Sequence, residues 1–182
     1  MDSSGSISRS NYLREKAFIK AVAQSFGISR SQSRAALVLF SRSASVQIRF
    51  RDHVSTNSFK AAVDRLPHER GTTRIDKALQ VATRDVFPFA RKGVHQIAFV
   101  ITDGEQTQER DTKDLKVASE PLRKAGVQVL ALGVGSGVNP DELRLIVEKD
   151  EDVLIAKSFQ DLLERVGSLI KSTCYLAGKR RV

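Results

Sequence analysis

Gln96-Ile-Ala-Phe-Val-Ile-Thr-Asp-Gly104 decides the architecture. From Ile97 to Ile101 every side chain is apolar, so both faces of this segment have to be covered. Strands of a parallel sheet carry helices on both faces and show this pattern. The run stops at Thr102-Asp103-Gly104, a polar turn ending on glycine.

Working outward, residues 35–40 form a second short apolar run. Residues 45–50 alternate Val46, Ile48 and Phe50 with Ser45, Gln47 and Arg49, which predicts a half-exposed edge strand. Further strands are predicted at 127–134 and 152–156. Between them lie helical patterns. Residues 11–26 place Leu13, Ala17, Phe18, Ala21 and Val22 at three-and-four spacing, and residues 58–66 end at Pro67. Residues 74–86 put Ile75, Ala78, Leu79 and Ala82 on one side. A helix over 112–125 stops at Gly126, another starts at Pro140 and reaches about 149, and a last one covers 159–173. Strands alternating with helices define the α/β class, here a doubly wound, open, mostly parallel sheet with helices on both faces. No internal repeat or linker interrupts the pattern, which predicts one domain over residues 1–174 and a basic tail over 175–182.

The 182 residues are 41% hydrophobic and 28% charged, the balance of a globular chain rather than a disordered one. The net charge is +9, and it is uneven: residues 1–70 hold twelve basic and five acidic side chains, the rest eighteen and sixteen. Such an excess favours acidic partners without choosing among nucleic acid, anionic polysaccharide and anionic surfaces. Arg34, Arg42, Arg49, Arg51, His53 and Lys60 gather around the edge strand, where they either bind an acidic chain or guard unpaired backbone. Lys179, Arg180 and Arg181 form the tail. Aromatic content of 6%, no Trp and no RNA- or DNA-reading motif argue against nucleic acid. No apolar run approaches the ~18 residues of a membrane span, and the first ten residues lack the pattern of a secretory signal. A single cysteine, Cys174, excludes a disulfide within the chain and a cysteine-built zinc site.

Three separated pieces carry the chemistry: Asp2-Ser3-Ser4-Gly5-Ser6 before the first helix, Gly71-Thr72-Thr73 before the third, and Thr102-Asp103-Gly104 after the central run. Singly, each is an ordinary cap or turn sequence. In an α/β sheet, however, the loops at the carboxyl ends of the strands converge on one ligand site. Together the pieces offer two carboxylates, Asp2 and Asp103, and three hydroxyls, Ser4, Ser6 and Thr73. Such hard oxygen donors suit Mg²⁺ or Mn²⁺, which take six oxygens and retain water. Neutral hydroxyls leave the ion under-neutralised, so a carboxylate from another molecule can replace a water. That is binding, and it breaks no bond. No G-x-S-x-G elbow or phosphate loop is present, and His53, His68 and His95 are scattered. A metal-dependent hydrolase on Asp2 and Asp103 would still need a general base that these pieces do not supply.

The order Asp2-Ser-Ser-Gly-Ser-Ile7, Gly71-Thr-Thr-Arg-Ile-Asp-Lys-Ala-Leu79, Ile101-Thr-Asp-Gly104 and Leu132-Gly-Val-Gly135 resembles a von Willebrand factor type A domain, most closely the matrix branch found in matrilins and non-fibrillar collagens. The resemblance covers almost the whole chain. It implies a metal-ion-dependent adhesion site in which Ser4, Ser6 and Thr73 touch Mg²⁺ or Mn²⁺, with Asp2 and Asp103 held directly or through water. It implies a non-catalytic adhesion module of a secreted matrix protein, whose partner is a collagen-like or other matrix protein bound through an acidic residue. Intracellular type A domains that serve as assembly platforms, and a basic module for acidic polysaccharide, are the alternatives. Ile75 and Asp76 stand where many members have Thr and Gly, which bears on ligand preference more than on metal binding. In the family a central first strand ends at the motif's Asp; here only Met1 precedes Asp2, so the expectation is a fragment lacking that strand. The family often closes with a cysteine paired to one before the first strand. Cys174 would then lack its partner here, or is a lone thiol.

Overall fold

The computed structural model describes residues 1–165. Local chemistry sets the ends of its helices. The Ser8 hydroxyl accepts the Asn11 amide and opens α1, Arg9–Phe26; Ser55 accepts the Ser58 amide and opens α2, Thr56–Asp64. Both begin two residues earlier than the apolar spacing alone places them. Next come α3, Ile75–Val81, and α4, Leu115–Lys124, the latter capped by Asp114 and stopped near Gly126, whose φ of 77° suits glycine. Pro140 opens α5, Pro140–Ile146, and α6 is described over Phe159–Glu164. The expected reach of the last helix to residue 173, Cys174 and the basic tail lie outside the described residues.

The helix expected over 74–86 is broken. After α3 the chain widens into a π turn at Ala82–Val86 and tightens into a 3-10 turn at Phe87–Phe89. The Thr83 hydroxyl bonds back to the Leu79 carbonyl at 2.8 Å, a contact that bends helices, and Pro88 has no amide to continue the ladder.

The strands are β1, Leu37–Phe40; β2, Ala44–Ile48; β3, Ile97–Thr102; β4, Gln128–Val134; and β5, Val153–Ala156. The last three pair in parallel in the order β3-β4-β5, and β1 pairs with β2 antiparallel. Residues 1–3 run alongside β1: the Phe40 amide donates to the Met1 carbonyl at 3.1 Å and the Ser3 amide to the Phe40 carbonyl at 2.7 Å.

Period-two alternation sorts the strand side chains into two helix layers. Val100, Val129 and Ala131 pack with Ile75 and Leu79 of α3, Leu115 and Leu122 of α4, and Leu143 and Ile146 of α5. The intervening Ile101, Leu132 and Val134 pack with Phe18 of α1 and Phe159 and Leu162 of α6. Leu37 and Leu39 face Tyr12 and Ala23 of α1 and Phe59 and Val63 of α2. The fold is therefore the expected α/β sandwich with helices on both faces.

One helix face differs from its expectation. Leu13 is 58% exposed, whereas Glu15 and Lys16 are buried. Glu15 is bonded through one oxygen, Oε1, which accepts the Asp2 amide, and Lys16 donates to the Asp64 and Leu66 carbonyls. Bonded polar groups of this kind are tolerated inside, and hydropathy spacing cannot reveal them.

Candidate functional site

Pairing of residues 1–3 with β1 carries Asp2 to the carboxyl end of the strands, where it is fully buried. Its Oδ1 accepts the Ser4 amide at 2.8 Å, which turns the chain, and its Oδ2 accepts the Thr102 hydroxyl at 2.7 Å. Asp2 thus ties the β1 side of the molecule to the end of β3. Past the turn, the Ser6 hydroxyl donates to Asp103 Oδ1 at 2.7 Å. Having spent its one proton there, Ser6 can only accept from Ser4, whose Oγ lies 2.8 Å away.

The Gly71–Thr73 piece is held from both sides. The Gly5 amide donates to the Gly71 carbonyl at 2.8 Å, and the Glu69 amide to the Ser3 hydroxyl at 2.8 Å. Thr73 exchanges bonds with Thr107: its amide donates to Thr107 Oγ1 at 3.1 Å and its carbonyl accepts the Thr107 amide at 2.8 Å. Its own hydroxyl faces Gly104, where an added Cβ would sit 3.5 Å from both Thr73 Oγ1 and Ser6 Oγ. All five oxygen-bearing side chains named from the sequence meet at one end of the sheet. Asp2, Ser4 and Thr73 are buried, Asp103 is half-buried and Ser6 is exposed, so the cluster opens outward at Ser6 and Asp103.

The electrostatics are lopsided. Burial pushes the Asp2 and Asp103 carboxyls above the usual carboxylate range against the pull of their hydroxyl partners. Burial also pushes Glu15, just beneath, well above its ordinary value; its Oε2 has no hydrogen-bond partner among the described residues. His68 is the positively chargeable group that draws Asp103 down, yet no ion pair to Asp2 or Asp103 occurs among the described residues. Two buried or half-buried carboxyls are thus brought together here without an ion pair among the described residues.

Three contributors escape sequence reading. Thr102 is part of a quoted motif, but nothing in the motif says that its hydroxyl closes on Asp2. Glu15 reads as an ordinary polar helix position. His68 reads as a turn residue; it stacks on Tyr12 with centroids 4.2 Å apart, its Nε2 3.3 Å from the Ser4 carbonyl.

The basic residues do not gather with the site. Arg42 follows β1 at the site end, whereas Arg34, Arg49 and Arg51 flank the opposite end, since Leu37 pairs with Ile48. Lys60 lies on α2 and bonds Gln24 of α1 at 3.3 Å. No described helix is long and apolar enough to cross a membrane.

A parallel sheet between helix layers, with a hydroxyl-and-carboxylate cluster at its carboxyl ends, defines a Rossmann-like α/β domain. More narrowly, the family model of the von Willebrand factor type A domain matches residues 1–167, and the chain belongs to that family. It is 28% identical to Cuticlin-6 of Caenorhabditis elegans, over 89% of this chain and 27% of that protein. With the collagen alpha-6(VI) chain of Mus musculus it shares 30% identity over 96% of this chain and 8% of that one. With Matrilin-1 of Gallus gallus it shares 30% over 82% of this chain and 30% of that protein. The chain thus spans less than a third of the length of each of these relatives. Proximal thread matrix protein 1 from the mussel byssus superposes with a TM-score of 0.87 at 31% identity, covering 95% of this chain and 44% of that one. The same byssal protein has been solved with a zinc-occupied MIDAS motif, at a TM-score of 0.86.

Proposed function

We propose that this chain is a metal-ion-dependent adhesion module of an extracellular matrix protein, binding an acidic residue of a matrix partner through a divalent cation. The observation that carries it is the meeting of Asp2, Ser4, Ser6, Thr73 and Asp103 at one outward-opening point, where no ion pair is made to Asp2 or Asp103 among the described residues. The donor set fits a small hard ion: every donor is oxygen, and two carboxylates among hydroxyls leave Mg²⁺ or Mn²⁺ with water to exchange. Ser4, Ser6 and Thr73 would hold the ion through their hydroxyls, with Asp2 and Asp103 held directly or through water. The ion supplies a positive centre with a replaceable ligand, and the role is binding without catalysis.

Support for the matrix setting comes from the relatives, which carry the names of collagens, a matrilin, a cuticlin and a byssal thread matrix protein. The zinc-occupied motif of the byssal protein supports a divalent ion at the corresponding place.

Calorimetric titration of Mg²⁺ and Mn²⁺ into the chain tests the reading, with Asp103→Ala as control. Asp103 is half-exposed at the rim, so its loss should leave the circular dichroism spectrum unchanged and remove the binding heat. Equal heats in the two proteins would refute the assignment.

A further inference from the structure

Beside the hydroxyl-and-carboxylate cluster lies a cavity of about 350 Å³. One wall is the start of α1, contributing Arg9, Tyr12 and Lys16; the other is the connection after α2, contributing Leu66, His68 and Arg70. No acidic side chain lines it. Arg9, Lys16, Arg70 and the His68 ring therefore share the lining of a small space with Leu13, Leu66 and the Tyr12 ring.

The walls are held in place. Lys16 is buried, and its ammonium donates to the Asp64 carbonyl at 3.1 Å and the Leu66 carbonyl at 2.7 Å while lying 5.0 Å above the centre of the Tyr12 ring. The Tyr12 hydroxyl donates to the Pro67 carbonyl while its ring stacks on His68. Arg70 adopts a φ of 55°, a left-handed conformation that costs a side-chain-bearing residue, and its amide donates to the Ser3 carbonyl at 2.8 Å. His68 reaches the Ser4 carbonyl at 3.3 Å, so cavity and cluster share a wall.

We propose that this cavity receives a second acid group of the same ligand whose first acid group meets the cation. This rests on the metal-site reading above. The partner is then an acidic peptide segment with two carboxylates a few residues apart. An extended chain rises roughly 3.3–3.6 Å per residue, so acids separated by one residue stand about 7 Å apart, a span suited to two adjoining subsites. An arginine fork grips a carboxylate with two parallel bonds, and Leu13 and Leu66 in the lining offer contact to its methylenes. An acidic polysaccharide is the poorer fit, because it wants a long cationic track, and the cations around β1 and β2 are divided between opposite ends.

The test uses N-acetyl-Asp-Gly-Glu-amide and its two single-acid forms, with Gln or Asn in place of one acid, titrated by NMR in Mg²⁺ and again in chelator. Two variants accompany the native chain. Arg9→Gln alters an exposed side chain, and Arg70→Asn keeps a residue that tolerates positive φ. In Mg²⁺ the diacid should bind about ten-fold more tightly than either single-acid peptide, with shifts at Tyr12 and His68. Both variants should lose that advantage while binding the single-acid peptides as before. Equal affinity of diacid and single-acid peptides, or an advantage that survives both variants, overturns the cavity assignment and leaves the metal site standing. A diacid advantage that is lost in the variants but indifferent to chelator overturns the metal reading and keeps the cavity. A heparin tetrasaccharide that shifts the cavity residues while the diacid does not would replace the peptide ligand by a polysaccharide. Shifts from none of the probes would overturn the proposal.

Discussion

The Arg74 guanidinium grips the Asp76 carboxylate through two hydrogen bonds, Nε to Oδ1 and Nη2 to Oδ2, each 2.9 Å long, with both side chains fully buried. Gln106 completes the pair. Its Nε2 donates to Asp76 Oδ1 at 2.8 Å and its Oε1 accepts the Ile75 amide at 2.7 Å. Asp76 also accepts the Lys113 amide at 3.0 Å. The pair begins one residue after Thr73, so it fixes the loop that presents that hydroxyl and clamps it to residues 106–113. Arg74 and Asp76 thus form a latch beneath the site.

Arg74→Met leaves the Asp76 carboxylate buried without its cation. Removal of one partner from a buried pair costs about 3–5 kcal/mol. Glu109 and Asp111 also touch Arg74 but are 33% and 63% exposed, so their share of the loss is small. The double variant Arg74→Met/Asp76→Asn should recover part of the loss, because a neutral amide tolerates the site. Urea midpoints of the three proteins measure this, and a single-variant cost below about 1 kcal/mol would contradict the latch.

Acid titrates the same pair. Burial alone would raise the Asp76 carboxyl, but Arg74, the Lys113 amide and Gln106 hold it at about 2, against an ordinary 3.8. A folded value below the unfolded one stabilises the fold above about pH 4, and that stability is lost as pH falls through about 2. At 1.36 kcal/mol per unit the contribution is about 2 kcal/mol. Asp2, Asp103 and Glu15 are raised by burial and act in the opposite sense, so the raw acid curve mixes both. Subtracting the Asp76→Asn curve from the native one isolates the pair: the difference should shrink between pH 4 and 2.

How much of this was legible in the sequence depends on which property each residue contributes. Hydropathy runs located β3 and β4 because apolar side chains on both faces leave one interpretation. Motif order pointed to Asp2, Ser4, Ser6, Thr73 and Asp103. The first three run on from the segment paired with β1 and Asp103 follows β3, whereas Thr73 lies on the connection between α2 and α3 and joins them through contacts of Ser3 and Gly5 with residues 69–71. Leu13 is exposed because Glu15, bonded to the Asp2 amide, and Lys16, bonded to the Asp64 and Leu66 carbonyls, take the buried face. The break after Val81 came from a back-bonding threonine and a proline, both visible, yet an apolar periodicity running through them outweighed them in the reading. The latch at Arg74 was invisible for a different reason. Charged residues beside a loop read as solvated, and only the approach of residues 106–113 turns them inward.

Base titrates Tyr12. Burial pushes its hydroxyl up to about 12 from 10.0. A folded value above the unfolded one stabilises the fold below about pH 10, and that stability is lost as pH rises from 10 through 12. Tyr12→Phe also deletes the bond to the Pro67 carbonyl, a loss of about 1 kcal/mol near neutral pH. The native-minus-variant stability should therefore be positive at pH 8 and fall above pH 10. A flat difference across that window would contradict it.

Gly137 lies against the back of the site: a Cβ there would fall 2.8 Å from the Asp103 carbonyl, too close for any real contact. Backbone, unlike a flexible side chain, cannot step aside cheaply, so Gly137→Ala has to shift the Asp103 backbone or the loop that carries residue 137. On the metal-site reading, Mg²⁺ affinity should fall by about ten-fold or more, and stability by about 1–3 kcal/mol from the forced shift. Gly135→Ala separates the two effects. Gly135 has a φ of 87° and nothing within 4 Å of its imagined Cβ, so the substitution strains the backbone without pressing on Asp103. It should cost about 1–2 kcal/mol and leave Mg²⁺ affinity unchanged. Calorimetry and urea unfolding on both variants give the four numbers; an equal loss of Mg²⁺ affinity in the two would mean that strain in the 133–137 loop, and not contact with Asp103, governs the site.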